Sequence, residues 1–309
     1  MKAPPVEASP DMSVRVAGLT LKGPVMAASG TFGYGTEVPL LDRRVLGGMV
    51  SKGIFLDARA GAPPHRIVET PSGMLNAIGL QGPGVDALIR DYAPLWASWD
   101  FPVLVNINGE SAVGYAELAA RLDGVPGVAG LELNISCPNV DQGGIWFGND
   151  PRSAAAVTAA VRARTRLPLW VKLTPAVSDI AAVARAVEGA GADAITAINT
   201  FVGMSVDLTT LRPRLANRTG GLSGPAIRPL AVYLAHRVAA EVGIPVIGIG
   251  GISSAEDALE FLVAGCVAVQ VGTATFVDPR AIQRVHDGIA AFLRMRGCAS
   301  PADLPRLTA

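Results

Sequence analysis

The sequence predicts an α/β fold, a (β/α)8 barrel, and three observations carry the prediction. From Val25 onward, short β-rich runs alternate with longer Ala, Leu and Arg segments of helical period, the signature of a parallel sheet wrapped by helices. The β-rich runs come to eight, and no G-x-G-x-x-G follows the first of them, so the fingerprint of an open dinucleotide-binding sheet is missing. The length, 309 residues, suits one such domain, because barrels of this kind run to roughly 250 residues or more as a unit.

The chain opens on MKAPPVEASPD, Pro-rich and without an apolar signal core, so residues 1–12 are expected to form a flexible tail and 13–309 a single domain. Next, SVRVAGLTLKGP reads as two short strands about Ala17-Gly18, a hairpin suited to capping one barrel end. The barrel strands are expected at Val25–Ser29, Gly48–Lys52, Val103–Ile107, Gly130–Ser136, Leu169–Thr174, Ala194–Asn199, Val246–Gly250 and Ala268–Gly272. Helices are expected at Val85–Trp99, Ala112–Leu122, Pro151–Arg164, Ser178–Glu188, Pro229–Val242, Ser254–Val263 and Pro279–Arg296. Capping signals open several: Ser178 precedes Asp179, Ser253-Ser254 lead into Glu256, and Asp278 precedes Pro279. Trp96, Trp99 and Met295 read as packing residues. Three connections, 53–84, 138–150 and 201–228, are longer than a barrel needs, and loops of that length are usually functional or disordered. All three leave C-terminal strand ends, where barrel enzymes carry their sites, so together they can roof one pocket.

Half the residues are hydrophobic and 17% are charged, which excludes a disordered or fibrous class. A formal net charge of zero gives no reason to expect a nucleic-acid or anionic-membrane partner, and no run approaches the ~20 apolar residues of a membrane span. Small molecules are the expected ligands. Cys137, Cys266 and Cys298 are odd in number and show no C-x-x-C spacing, which argues against disulfides and against a zinc or iron–sulfur site in this chain. A reducing cytoplasm and no metal are the expectations.

Chemistry concentrates in LELNISCPN, Leu131 to Asn139. Leu131, Leu133 and Ile135 alternate with Glu132, Asn134 and Ser136 in the period of a strand, and Pro138 ends it because proline has no N–H for a ladder. Cys137 then stands at a strand's C-terminal tip, where barrel enzymes place reactive groups. A free cysteine is as readily a small buried apolar residue, and both readings stand on this stretch alone. Histidine offers no alternative base: His65 sits in a polar loop, and His236 and His286 fall in helical segments away from the strand tips. Proton abstraction is therefore assigned to Cys137, as a thiolate steadied by nearby donors.

Arginine supplies nearly all the positive charge, and the only lysines are Lys2, Lys22, Lys52 and Lys172. Lys52 ends one apolar run and Lys172 lies inside another, where a charge must be paired or bind an anion to offset its desolvation. A structural salt bridge accounts for each alone, whereas two ammonium groups in one barrel mouth favour an anionic ligand. Amides gather at the same ends: Asn106, Asn108, Asn134, Asn139 and Asn199, joined by Asn76 from a long loop. Singly these are turn or cap residues; converging, they can read a ring of alternating C=O and N–H groups. The last two strands end in Gly250-Gly251 and Gly272-Thr273, and TGGLSGP spans Thr219 to Pro225. Such glycines leave backbone N–H groups open to a phosphate at the usual barrel phosphate site, although tight turns give the same pattern.

Together these residues resemble one family, the class 1B dihydroorotate dehydrogenases, in their catalytic subunit. The resemblance runs from about Ser13 to about Val277 and rests on ASGTFGYG (Ala28 to Gly35), GMLNAIGLQ (Gly73 to Gln81), NISCPNVDQGG (Asn134 to Gly144), TGGLSGPAI (Thr219 to Ile227) and AVQVGTA (Ala268 to Ala274). Cysteine in S-C-P-N resembles class 1, since the membrane-linked class 2 has serine there, and NAIGLQ with the Val-x-x-Gly-Gly continuation resembles 1B rather than 1A. The resemblance implies FMN at Ser29, Lys52, Gly53, Asn106, Asn134, Lys172, Ile198, Gly224, Gly250, Gly251, Gly272 and Thr273. It implies a substrate site at Lys52, Asn76, Ala77, Ile78, Gly79, Leu80, Asn134, Asn199 and Thr200.

The implied reaction is oxidation of dihydroorotate to orotate in de novo pyrimidine biosynthesis, with Cys137 taking the C5 proton as hydride leaves C6 for the flavin. Lys172 would stabilise the charge of the reduced flavin, and Lys52, with the backbone around Gly79, would hold the orotate carboxylate. Electrons would reach NAD through a partner, because the chain has neither a Rossmann fingerprint nor clustered cysteines. The implied assembly is a heterotetramer, a core dimer of this chain with two copies of a subunit carrying FAD and an iron–sulfur cluster. Two residues depart from the family pattern: Gly82, where asparagine is usual, and Ala176 after VKLTP. Two other readings stay open, a dihydropyrimidine dehydrogenase taking uracil, which lacks a carboxylate, and a non-catalytic phosphate-binding barrel.

Overall fold

The computed structural model describes residues 9–37, 43–136, 138–139 and 145–307. Eight parallel strands close into a barrel in chain order: β1 Val25–Ala27, β2 Gly48–Val50, β3 Val103–Ile107, β4 Gly130–Asn134, β5 Leu169–Leu173, β6 Ala194–Ala197, β7 Val246–Ile249 and β8 Ala268–Val271. Closure comes from β8 pairing with β1, Val269 opposite Val25. Strands buried on both faces are near-continuous apolar runs, which is why they were legible as runs and not as alternations. β3 has the expected bounds, whereas β1 stops at Ala27 rather than Ser29, β2 at Val50 rather than Lys52 and β6 at Ala197 rather than Asn199. The residues beyond those ends leave the ladder and line the mouth.

The helices follow the expected order, with three corrections. The segment expected as one helix from Val85 to Trp99 is two, Val85–Asp91 and Ala93–Trp96, because Pro94 falls in the first turn of the second, where a ring without an N–H is tolerated only at a helix start. Asp179, not Ser178, caps Ile180–Gly189, accepting from the Ala181 and Ala182 N–H groups. Asp278 is not the N-cap of the last long helix, which begins at Ala281 after Arg280; it is instead the C-cap of the short helix Ala274–Val277, and its Oδ1 accepts from the Arg280 N–H at 3.0 Å. Ser254 does cap Ala255–Val263, and its capping box closes on Asp257 rather than on Glu256. Trp96 is buried as expected, but Met295 is 72% exposed and stands outside the core. Residues 1–8 of the expected tail lie outside the described residues, while the Asp11 N–H donates to Ala299 O at 2.8 Å and Met12 packs on the core.

Side-chain alternation along each strand layers the barrel interior. At the bottom, the hairpin of Val14–Val16 and Leu19–Leu21 supplies Val16 and Leu21 to a cluster with Met26, Val50, Leu104, Trp170, Ala194, Ile247 and Ala268. Two residues further along β3, β5, β6 and β8 come Asn106, Lys172, Thr196 and Gln270, and β4 adds Glu132 and Asn134; all are buried. An apolar plug thus carries a polar floor. Above the mouth, two of the long connections pair into an antiparallel sheet that sequence reasoning left as loop. Its order is Phe201–Met204, Thr219–Ser223, Gly73–Asn76, Ile67–Thr70, with Gly221 opposite Asn76. Of the third connection, Pro138–Asn139 pairs with Ile145–Trp146.

Candidate functional site

Between floor and roof lies a cavity of about 540 Å³, within the ~300–1,000 Å³ common to small-molecule sites. Every candidate cofactor and substrate residue lines it, from Ser29 and Lys52 through Asn76 to Leu80, Asn134, Lys172 and Asn199 to Gly272 and Thr273. Cys137 lies outside the described residues. The chain leading to it is pinned: Ser136 N–H donates to Asn134 Oδ1 at 3.1 Å and Ser136 Oγ accepts from Asn199 Nδ2 at 2.9 Å. A more open hollow of about 720 Å³, bounded by His65, Asp207, Arg212 and Arg214, contains no candidate residue.

The floor is built around Glu132, which is fully buried. Its Oε1 accepts from Asn106 Nδ2 at 2.8 Å and stands 3.7 Å from Lys172 Nζ. Its Oε2 accepts from Thr196 Oγ1 at 3.0 Å and Gln270 Nε2 at 2.9 Å. A carboxylate surrounded by protein needs such a set to offset lost hydration. Lys172 therefore has a structural counter-ion, and it also lines the cavity and donates to Ser29 Oγ at 3.0 Å. From Asn106 the amides continue in a row: Asn106 Oδ1 accepts from Asn108 Nδ2 at 3.1 Å, and Asn108 Oδ1 from Asn134 Nδ2 at 2.8 Å. Asn134 Oδ1 accepts from Asn199 Nδ2 at 3.2 Å, and Asn199 Oδ1 from Thr200 N–H at 2.8 Å.

Lys52 differs from Lys172. Among the described residues no carboxylate lies within 4 Å of its ammonium, although its N–H is tied to Gly33 O at 2.8 Å. Burial pushes this ammonium below the ordinary lysine value of 10.5; Glu37 pulls it back, and Arg66 adds to the depression. A half-buried cation with no ion pair among the described residues has the chemistry to receive an anion. Beside it the 77–80 turn is held by Ala77 N–H donating to Arg66 O at 2.7 Å and Ala62 N–H to Ile78 O at 2.9 Å.

Glycines wall the opposite side. Gly224, Gly250 and Gly251 have φ of +96°, +128° and +78°, and a Cβ on each would stand 2.7 Å from Gly73 Cα, 2.8 Å from Ala231 Cβ and 2.7 Å from Arg228 Cβ. No side chain can occupy these turns, so their backbone faces the cavity bare, as phosphate binding requires. Thr273 Oγ1, donating to Ser223 Oγ at 2.8 Å, joins roof to strand end at the same wall. The residues fit a phosphate-bearing cofactor such as FMN: a glycine cradle at one end, and Lys172, Asn106 and Ser29 as polar groups at the other. Among the described residues no group of His, Cys, Asp and Glu could hold a metal ion, and no helix is long and apolar enough to cross a membrane. Cys266, remote from this cavity, has its thiol pushed up to about 12 by burial, which leaves it inert.

Sequence reasoning missed Glu132 and Gln270. In the sequence Glu132 figures only as a polar member of an alternating strand, with no role of its own, yet β4 is buried throughout; a lone acid in such a strand is the available signal. The departures have simple settings. Gly82 exchanges backbone hydrogen bonds with Arg59, and a Cβ there would lie 3.2 Å from Tyr34 OH, while Ala176 is exposed beyond β5.

The family model for dihydroorotate dehydrogenase matches residues 11–293. Among curated proteins, the chain is similar to the catalytic subunit of dihydroorotate dehydrogenase B (NAD(+)) from Trichlorobacter lovleyi, 56% identical over 96% of this chain and 97% of that protein. It is likewise similar to the proteins of the same name from Pelobacter propionicus, 54% identical with the same coverage, and from Citrifermentans bemidjiense, 56% identical over 92% of this chain and 93% of the other.

Proposed function

The chain belongs to the dihydroorotate dehydrogenase family, and from that premise we infer that it oxidises dihydroorotate to orotate, a step of pyrimidine biosynthesis, with FMN in the barrel mouth. The observation that carries this reading is the meeting of Lys52, Lys172 and a row of amides on one cavity walled by glycine turns. Such a cavity suits a carboxylated, amide-containing ring beside a phosphate-bearing cofactor. When bound, FMN supplies the hydride acceptor that no side chain here can supply.

The chain's own residues do the rest. Lys52, half-buried and without a described counter-ion, is assigned the substrate carboxylate, with the backbone of Ala77 to Leu80 beside it. Asn76, Asn134, Asn199 and Thr200 are assigned the ring's polar edges. Ser29, Gly53, Asn106, Lys172 and Ile198 are assigned the flavin ring, and Gly224, Gly250, Gly251, Gly272 and Thr273 the phosphate end. Cys137, next to the pinned Ser136, is assigned the C5 proton, which it takes as thiolate while the C6 hydrogen leaves with its electron pair and the C5=C6 bond forms. The roof sheet shields this chemistry from water. The related proteins are named as catalytic subunits of an NAD(+) enzyme, which supports a separate partner subunit; the assembly we propose around it is a cytoplasmic heterotetramer, a dimer of this chain with two electron-transfer subunits that carry FAD and an iron–sulfur cluster.

The test is anaerobic mixing of the FMN-loaded chain with dihydroorotate or with dihydrouracil. Bleaching of the visible flavin band by dihydroorotate alone is expected. Equal bleaching by dihydrouracil, or a protein that takes up no flavin, overturns the reading.

A further inference from the structure

Glu132 does not line the cavity itself, yet it holds Asn106 and Lys172, which do, and anchors the whole floor. An amide side chain has a donor end and an acceptor end, and it turns over unless its partners forbid it. Glu132 is met by donors at both oxygens, so Asn106 must point its Nδ2 inward and offer Oδ1 to Asn108. The same sense then passes to Asn134. At the far end the Ser136 and Thr200 N–H groups demand it too, because backbone can only donate there. Asn134 Oδ1 is filled by two donors, Ser136 N–H and Asn199 Nδ2, which leaves Asn134 facing the cavity as a donor.

We propose that Glu132 is a positioning residue that fixes the direction of the Asn106, Asn108, Asn134, Asn199 row, so that the floor meets its ligand with N–H groups and selects a carbonyl or carboxylate edge. Only the identity of that ligand as orotate rests on the function proposed above. The direction has a chemical signature. Asn108→Asp places an acceptor where Asn106 already presents Oδ1, and Asn106 cannot turn over while Glu132 holds its Nδ2. Adding Glu132→Gln releases the conflict, because a turned Gln side chain donates to Asn106 Oδ1 and frees Nδ2 for the new carboxylate. Glu132→Gln alone keeps its three hydrogen bonds, since Thr196 and Gln270, whose Oε1 has no partner among the described residues, can both turn to accept, but it leaves Lys172 without its counter-ion, a loss that the double variant shares.

The experiment is a double-mutant cycle on the full chain with two readouts, the orotate dissociation constant of the FMN-loaded protein by calorimetry and the thermal midpoint of the protein stripped of FMN. Asn108→Asp should weaken orotate at least about tenfold and lower the midpoint, Glu132→Gln should lower the midpoint by unpairing Lys172, and the double variant should return close to Glu132→Gln instead of adding the Asn108→Asp loss to it. Asn108→Leu, which breaks the row without reversing it, should gain nothing from Glu132→Gln. If Asn108→Asp does not fold, recovery of folded protein in the double variant is the readout. Additive losses in both readouts, or no recovery, overturn the proposal. A parent that fails to bind orotate, with the midpoint still rescued, sinks the proposed substrate and leaves the role of Glu132 standing.

Discussion

Lys172 Nζ donates to Ser29 Oγ across 3.0 Å; Lys172 lies on β5 and Ser29 two residues past the end of β1, strands that stand opposite one another in the closed barrel. The bond therefore spans the mouth. It draws the ammonium to the middle of the floor, 3.7 Å from the Glu132 carboxylate, where one cation serves both the fold and whatever binds above.

Removing that cation should show both consequences. Lys172→Met leaves Glu132 without its counter-ion, and breaking a buried pair in this way costs about 3–5 kcal/mol. Urea unfolding of the flavin-free chain should report a loss of that order, and FMN affinity, followed by fluorescence on titration, should fall at least about tenfold. Parent-like affinity with the stability lost would leave Lys172 a purely structural residue.

Lys52 should make orotate binding pH-dependent. Its ammonium titrates below 10.5 in the free protein because of burial, and a bound carboxylate favours the charged form. Orotate affinity should therefore fall as pH rises through that lowered value, by up to about tenfold per unit. Lys52→Ala should weaken binding at neutral pH by about tenfold to a hundredfold, as loss of a charged hydrogen bond does, and flatten the profile. Stability runs the other way: the unfolded chain holds this proton up to 10.5, so between the lowered folded value and 10.5 rising pH stabilises the fold. A calorimetric pH series on parent and variant checks both slopes, and identical slopes would remove Lys52 from the site.

Gly251 is predicted to admit no side chain. A Cβ there would stand 2.7 Å from both Arg228 Cβ and Arg228 N at a φ of +78°, and Arg228 is itself held by ion pairs to Asp257 and Glu260. Gly251→Ala should lower the thermal midpoint and reduce flavin content on purification. A variant that keeps full FMN and the parent's midpoint would show that this wall is not a cradle.

The barrel was legible because each buried strand is a continuous apolar run bounded by helical segments, and the lysines stood out because Lys52 and Lys172 are rare charges in such runs. The roof sheet was not. Strand Thr219–Ser223 reads TGGLS, with none of its residues buried, and it finds its partner Gly73–Asn76 nearly 150 residues away in the chain, so its pairing leaves no local period to detect. Glu132 hid for the opposite reason: polar–apolar alternation with Leu131 and Leu133 imitates a half-exposed strand, and only barrel closure turns its polar face inward over the apolar plug.

Cys137→Ala should leave FMN bound while slowing oxidation of dihydroorotate in a single turnover by a factor of about a hundred to ten thousand, the usual span for loss of a general base. Anaerobic stopped flow at saturating substrate reads this directly. Cys137→Ser is the informative companion, since a hydroxyl keeps the volume but gives up a proton acceptor only at much higher pH, so its rate should recover with rising pH where alanine's does not. An unchanged rate in the alanine variant would move the base elsewhere.

The electron acceptor supplies the last prediction. Electrons taken from dihydroorotate have to leave a cavity that lies beneath a roof sheet and above a plugged barrel. The chain shows no G-x-G-x-x-G after its first strand and no clustered cysteines, so it lacks the usual sequence means of binding a nicotinamide cofactor or carrying an iron–sulfur relay. NAD reduction should therefore require a second subunit, whereas a small dye that enters the mouth should accept electrons from the isolated chain. Assays of the isolated chain with NAD, fumarate and a dye, repeated after adding a candidate electron-transfer subunit, separate the cases. Dye reduction alone, converting to NAD reduction on reconstitution with a co-eluting complex, is the expected outcome. Efficient fumarate reduction by the isolated chain would assign it a class 1A acceptor and remove the partner while leaving the barrel, the floor and the proton chemistry in place.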